Sequence, residues 1–304
     1  MQKRFFDLHT DTASAIFDEN KSLRRNDLHV DLERAEKVGE YAPFLTLFTD
    51  SRKHTMEGRY EILSENLLAE AEGKICFVTS GEAYEKAKAE GLFPAFRAVE
   101  GAEMLSCDPE KMRKAAREDA LLMSGVCWNN PNPLYTAEGL TARGREYVLA
   151  CAGEGVAVDV SHLNDRGTSE ILSLGIRTVA SHSNARALCG VPRNLPDELI
   201  RRIGENRGLI GLNFCRSFLD EAPEKQTLRR LAEHAAYISE IAGVGVLALG
   251  SDLDGAPLPD GVRGVEDLPL FARALSSVGF SDEEVDAISF RNAYTYFFRE
   301  GKGK

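Results

Sequence analysis

No apolar run in this chain approaches the roughly 18 residues that a membrane-crossing helix needs, so no transmembrane segment is read from it. The N-terminus, Met1-Gln2-Lys3-Arg4-Phe5-Phe6-Asp7, has no apolar stretch of the roughly 7–15 residues typical of a signal peptide, and a cytoplasmic protein is expected. Six cysteines are present (Cys76, Cys107, Cys127, Cys151, Cys189 and Cys215), but no two stand at CxxC spacing. Buried, reduced thiols are expected, since cysteine packs as a small hydrophobe. Positive charge is also in deficit: 37 lysines and arginines face 48 acids, a formal net charge of −11. Such a surface repels phosphate backbones and anionic lipid, so neither nucleic acid nor a membrane is an expected partner. Finally, there is no internal repeat, low-complexity tract or linker, and residues 1–304 are read as one domain.

What the chain has instead is alternation. Short apolar runs at Phe5–Leu8, Phe44–Phe48, Ala95–Val99, Ala120–Cys127, Val156–Val160, Arg177–Ala180, Leu209–Leu212 and Val246–Leu249 read as strands. Amphipathic stretches between them, such as Ala142–Gly153 and Thr227–Ala242, read as helices. Strictly alternating β and α elements imply a parallel sheet. Eight units predict closure into a (β/α)8 TIM barrel, with an open doubly wound sheet as the main competitor. Lys74–Thr79 reads as a short β excursion outside the barrel, and helices from Val265 and Ser281 close the chain.

The residues that follow the strands are polar, and in a barrel they all face the C-terminal mouth where active sites sit. The first strand ends in His9-Thr10-Asp11, the third in Glu100-Gly101, the fourth in Trp128-Asn129-Asn130 and the fifth in Ser161-His162. The sixth ends in Ser181-His182-Ser183, the seventh in Asn213 and the eighth in Gly250-Ser251-Asp252-Leu253-Asp254-Gly255. Histidine and carboxylate are ligands for zinc and related ions. One strand-end histidine is more often structural than a ligand. Three together, with His-x-Asp on the first strand, favour metal.

These candidates exceed what one tetrahedral ion uses, so a carboxylate bridging two ions is the natural arrangement. Glu100 is expected deep in the barrel, where a carboxylate needs a cationic partner. Asp252 suits a general base that takes a proton from water and returns it to a leaving group. Asp254, two residues on, fits an Asx turn or helix cap as well as a substrate contact. His29, His54 and His234 lie in helix or loop surroundings, where solvated or capping roles are expected.

Several blocks together resemble the signature of the membrane (renal) dipeptidase family of the amidohydrolase superfamily. They are Phe6-Asp7-Leu8-His9-Thr10-Asp11, Val99-Glu100-Gly101, Val158-Asp159-Val160-Ser161-His162, Ala180-Ser181-His182-Ser183, Arg193-Asn194-Leu195-Pro196-Asp197 and Gly250–Gly255. They occur in the family's order and span nearly the whole chain. The resemblance implies two zinc ions, one held by His9, Asp11 and Glu100, the other by Glu100, His162 and His182, with Glu100 bridging. It implies Asp252 as catalytic acid/base and Arg193 as a contact to substrate or to the tetrahedral intermediate. The implied activity is hydrolysis of small dipeptides, including those with a C-terminal D-residue, through a metal-bridging hydroxide.

One position departs. Family members carry a histidine after the fourth strand, and here Trp128 stands there, shaping a substrate pocket. That departure keeps open a second reading, a binuclear-metal amidohydrolase acting on a non-peptide amide, lactam or ester. A catalytically silent barrel is the third reading. The expected partners are a small dipeptide and, compatibly, a second copy of the chain as a homodimer.

Overall fold

A computed structural model describes residues 3–130 and 132–299 of the chain. Met1, Gln2 and the last residues of the expected 1–304 domain lie outside the described residues. Eight parallel strands form a closed barrel: β1 (Arg4–Thr10), β2 (Glu40–Leu47), β3 (Phe93–Val99), β4 (Leu121–Gly125), β5 (Ala157–Asp159), β6 (Thr178–Ala180), β7 (Leu209–Leu212) and β8 (Leu247–Leu249). Each pairs with its sequence neighbours, and β8 pairs with β1 at Leu249 and Asp7, which closes the ring. The open-sheet alternative is thereby excluded. Ile75–Phe77 pairs with Phe93–Ala95 at the start of β3, as a strand outside the barrel.

The strands are buried nearly end to end, as expected when helices cover a barrel from outside. Phe6, Phe44 and Phe96 meet inside the barrel, Phe6 stacked on Phe96 at 4.5 Å between ring centroids. The terminal helix Asn292–Phe298 brings Phe297 and Phe298 against them and seals the N-terminal floor. Aromatic pairs of this kind contribute roughly 0.5–1.5 kcal/mol each beyond their buried area. A closed floor leaves the other mouth as the place where polar residues can converge.

Local signals set the helix boundaries. Asn164, Thr141, Thr227 and Ser281 each cap a helix by accepting a backbone N–H, and Ser281 does so in a capping box with Glu284. Pro196 precedes its helix, Asp197–Glu205, as the N-cap residue. The helix Thr12–Asp18, directly after Asp11, is not apparent from the sequence pattern because it is short and follows the strand without a linker.

Candidate metal centre

At the end of β1, His9 is fully buried, and Asp11 occupies the N-cap position of helix Thr12–Asp18. An N-cap aspartate ordinarily accepts a backbone N–H from its helix. Asp11 makes no such bond, and its Oδ1 is buried without a hydrogen-bond partner. Glu100 follows β3 and is 5% exposed. His162 follows β5 with a left-handed backbone, φ 67°, and His182 follows β6 and is 1% exposed.

The other four side chains gather around Glu100. Its Oε1 lies 2.9 Å from His162 Nε2, 3.3 Å from His182 Nε2 and 3.8 Å from His9 Nε2. His9 Nε2 is 3.7 Å from Asp11 Oδ1. His9, Asp11 and Glu100 form one trio whose ligand atoms lie within 4.8 Å of one another, and Glu100, His162 and His182 form a second. Glu100 is the member common to both. A third trio, His9, Asp159 and His182, is also close enough. Asp159, however, already accepts two backbone N–H groups on Oδ1 and the Ser181 hydroxyl on Oδ2, so it supports the cluster from behind.

The donor set suits cations. Both ring nitrogens of His9, Asp11 Oδ1 and His162 Nδ1 are buried with no hydrogen-bond partner, and unmatched buried polar atoms of this kind are costly. Burial pushes the Glu100 carboxyl well above its usual range, and the charge of Asp11 adds to the effect. Burial disfavours protonation of His9, but Glu100 and Asp11 outweigh it and lift the ring to about 10. Burial holds His162 and His182 far below the usual histidine range, with Arg193 and His9 pushing the same way. His162 and His182 are thus held in the neutral form that binds metal, whereas His9 and Glu100 must give up a proton to do so.

Asp252 stands over this cluster in a left-handed conformation, φ 59°, with Oδ2 accepting from Asn213 Nδ2 at 3.1 Å. Burial raises its carboxyl to about 6; His9 opposes the rise and Asp11 adds to it. Gly255 closes the turn beneath, and a Cβ there would overlap Oδ2 of Asp11 and Oδ1 of Asp252. Arg193 reaches in from the loop after β6, donating to Ser183 Oγ at 2.8 Å and to the His182 carbonyl at 3.0 Å. Its Nε is buried without a partner. A carboxylate able to exchange a proton, a cation and a nest of metal donors can together run metal-assisted hydrolysis.

The sequence model of the membrane dipeptidase family (peptidase family M19) matches residues 1–297. The chain belongs to that family. An uncharacterized protein from the pqqA 5' region of Klebsiella pneumoniae is 36% identical over 173 residues, 56% of this chain and 64% of the relative. Dipeptidase tcpJ of Claviceps purpurea is 33% identical over 158 residues, 51% of this chain and 37% of the relative. The chain thus covers less than two thirds of both relatives' length. A metallo peptidase from Rhodobacter sphaeroides, solved with a phosphinate mimic of the dipeptide L-Ala-D-Ala, shares the fold at a TM-score of 0.84. It is 24% identical, and the match covers 98% of this chain and 99% of that one.

In this member of the membrane dipeptidase family, Trp128 sits between Phe48, 4.7 Å away edge-on, and His162, 6.2 Å away. Arg52 lies over the indole at 5.3 Å. Asp254 turns away from the mouth. Its Oδ2 accepts from Thr12 Oγ1 at 2.5 Å, its Oδ1 from the His29 N–H at 2.6 Å, and its own N–H donates to His29 Nδ1. That is the cap-like role, and it binds the β8 loop to the first helix.

Three supporting residues receive no role from the sequence. Asp7 lies inside β1 and accepts from the Ser251 N–H and hydroxyl across the barrel seam. Asp159 does the same with Ser181. Asn213 is visible only as an amide at a strand end, yet it holds both Asp252 and the His182 carbonyl. His234 corrects the expectation of a solvated or capping histidine. It is fully buried, its Nδ1 accepts from the Ala185 N–H, and its Nε2–H donates to the Leu219 carbonyl. Five of the six cysteines are buried, Cys76 is partly so, and all are free.

Proposed function

We propose that this chain is a zinc-dependent dipeptidase whose two ions are held by His9, Asp11 and Glu100 and by Glu100, His162 and His182. The observation that carries the reading is the pair of buried trios sharing Glu100, in which both ring nitrogens of His9, Asp11 Oδ1 and His162 Nδ1 have no hydrogen-bond partner. Bound there, the ions would polarise the scissile carbonyl and bring the pKa of water toward neutrality. Asp252 takes the proton as the water oxygen attacks the carbonyl carbon, and delivers it to the amine as the C–N bond breaks. A carboxyl near 6 is suited to both halves of that task. Arg193 faces the negative charge that develops on the substrate. Trp128 forms a wall of the pocket, and Asp254 holds the Asp252 turn in place.

Dipeptides are the substrate class this reading favours, including those with a C-terminal D-residue. Likeness in fold to a metallo peptidase that holds an L-Ala-D-Ala mimic supports it. Trp128 supports a second reading, in which the scissile bond is a non-peptide amide, lactam or ester. The purified protein should carry two equivalents of zinc and cleave members of a panel of L,L and L,D dipeptides. Asp252→Asn should keep the zinc and lose turnover by about 10²–10⁴-fold. Two bound ions with no dipeptide cleaved would move the assignment to the second reading. A metal-free protein, or full activity in the Asp252 variant, would sink both.

A further inference from the structure

We infer that Asp159 and Ser181 form a relay that fixes His182 with its proton on Nδ1 and its lone pair on Nε2, aimed at Glu100. Ser181 Oγ carries one hydrogen and contacts Asp159 Oδ2 at 2.5 Å, His182 Nδ1 at 2.7 Å and Ser161 Oγ at 3.3 Å. A carboxylate only accepts, so the shortest of these contacts uses the serine hydrogen. The 2.7 Å contact then requires His182 Nδ1–H as donor. A neutral imidazole has one N–H, which leaves Nε2 bare, 3.3 Å from Glu100 and 3.1 Å from His162 Nε2.

Asp159 is itself immobilised. Its Oδ1 accepts the Ser161 and Ser181 N–H groups, both at 2.9 Å, so adjacent strands lock the carboxylate before it receives the hydroxyl. The other side of the barrel provides an internal contrast. Asp7 accepts the His9 and Ser251 N–H groups on Oδ1 and the Ser251 hydroxyl on Oδ2. There, however, the hydroxyl oxygen lies against the His9 carbonyl and the Leu253 N–H and reaches no imidazole. The two ring nitrogens of His9 remain without a hydrogen bond. The same aspartate–serine device therefore orients a ring only at His182. Asp159 and Ser181 are positioning residues for the Glu100–His162–His182 trio and not for the one containing Asp11.

The metal arm of this inference rests on the two-ion reading; the tautomer arm does not. Nitrogen NMR of the metal-free full-length chain, labelled at histidine, reports which ring nitrogen of His182 is protonated. Protonation at Nδ1 is expected in the native chain and a mixture of tautomers in Ser181→Ala. Ser251→Ala, which removes a comparable buried hydroxyl, should leave the His182 signal unchanged. In zinc titrations, Ser181→Ala and Asp159→Asn should each weaken one of two equivalents by about 10–100-fold and leave the other in place, with Ser181→Thr restoring it. His182 protonated at Nε2 in the native chain would overturn the relay, as would a Ser181→Ala variant with native tautomer and native zinc affinities. A fixed Nδ1–H tautomer in a chain that binds no zinc would uphold the relay and defeat the two-ion reading.

Discussion

At the scale of single residues, the mouth of the barrel concentrates strain and close approach. Of the eight non-glycine residues with positive φ among those described, three (His162, Asp252 and Asp254) lie in this site. Left-handed backbone at a non-glycine residue costs of order 1–3 kcal/mol and persists where the surroundings enforce it. At Asp252 the enforcement comes from Asn213, from the bond of its N–H to the His9 carbonyl, and from Gly255. Gly255→Ala should force Asp11 and Asp252 apart. We expect kcat/KM to fall by about 10²-fold with the barrel intact by circular dichroism, checked on the most active dipeptide. Trp128→His reintroduces a ring that can donate a hydrogen bond where the family has one. If the bond cleaved is a peptide, kcat should rise, up to about the 10²–10³-fold that one oxyanion donor supplies.

At the scale of elements, the loops after β2 and β4 form one unit. Asn130 donates to the Thr49 carbonyl and accepts from both the N–H and the hydroxyl of Ser51. Phe48 packs on Trp128, and Arg52, paired with Asp50, lies over the same indole. The wall beside His162 is thus built from two loops joined by one amide. Asn130→Ala leaves these backbone groups unmatched and should lower unfolding free energy by about 1–3 kcal/mol. A larger effect on KM than on kcat is expected, because the wall contacts substrate and not the reacting atoms. Denaturant titration and steady-state kinetics check the two halves separately.

At the scale of the whole molecule, two titrations should show in its stability. Burial holds His234 down to about 4 in the folded chain, against about 6.5 when unfolded. The unfolded chain therefore binds this proton first as pH falls. The stability His234 contributes is complete above about pH 6.5 and is lost as pH drops toward 4, by about 3 kcal/mol. Thermal melts across that range should show a steeper decline for the native chain than for His234→Gln. The metal centre adds a second lever, since Asp11, Glu100 and Asp252 crowd together at the end of a closed barrel. Stripping bound metal with a chelator should lower the melting temperature. Zinc at about 100 times its Kd should restore about 2.7 kcal/mol per site.

Much of this protein is legible in its sequence, because the barrel's periodicity is local. Each strand is a short buried run followed by a helix, so eight repeats announce the fold, and parallel strands put every strand end at one mouth. His9, Asp11, Glu100, His162, His182 and Asp252 could be nominated on that ground alone. Which of them touch was decided only by closure of the ring. The β8–β1 seam brings Asp252 to His9 and Asp7 to Ser251, residues more than 240 positions apart in the chain. The same holds for the opposite roles of two neighbouring carboxylates: Asp252 faces the donors and Asp254 faces Thr12 and His29. Sequence sets residue type and strand position; the direction of a side chain at the end of a strand depends on turn conformation and on partners supplied by distant loops.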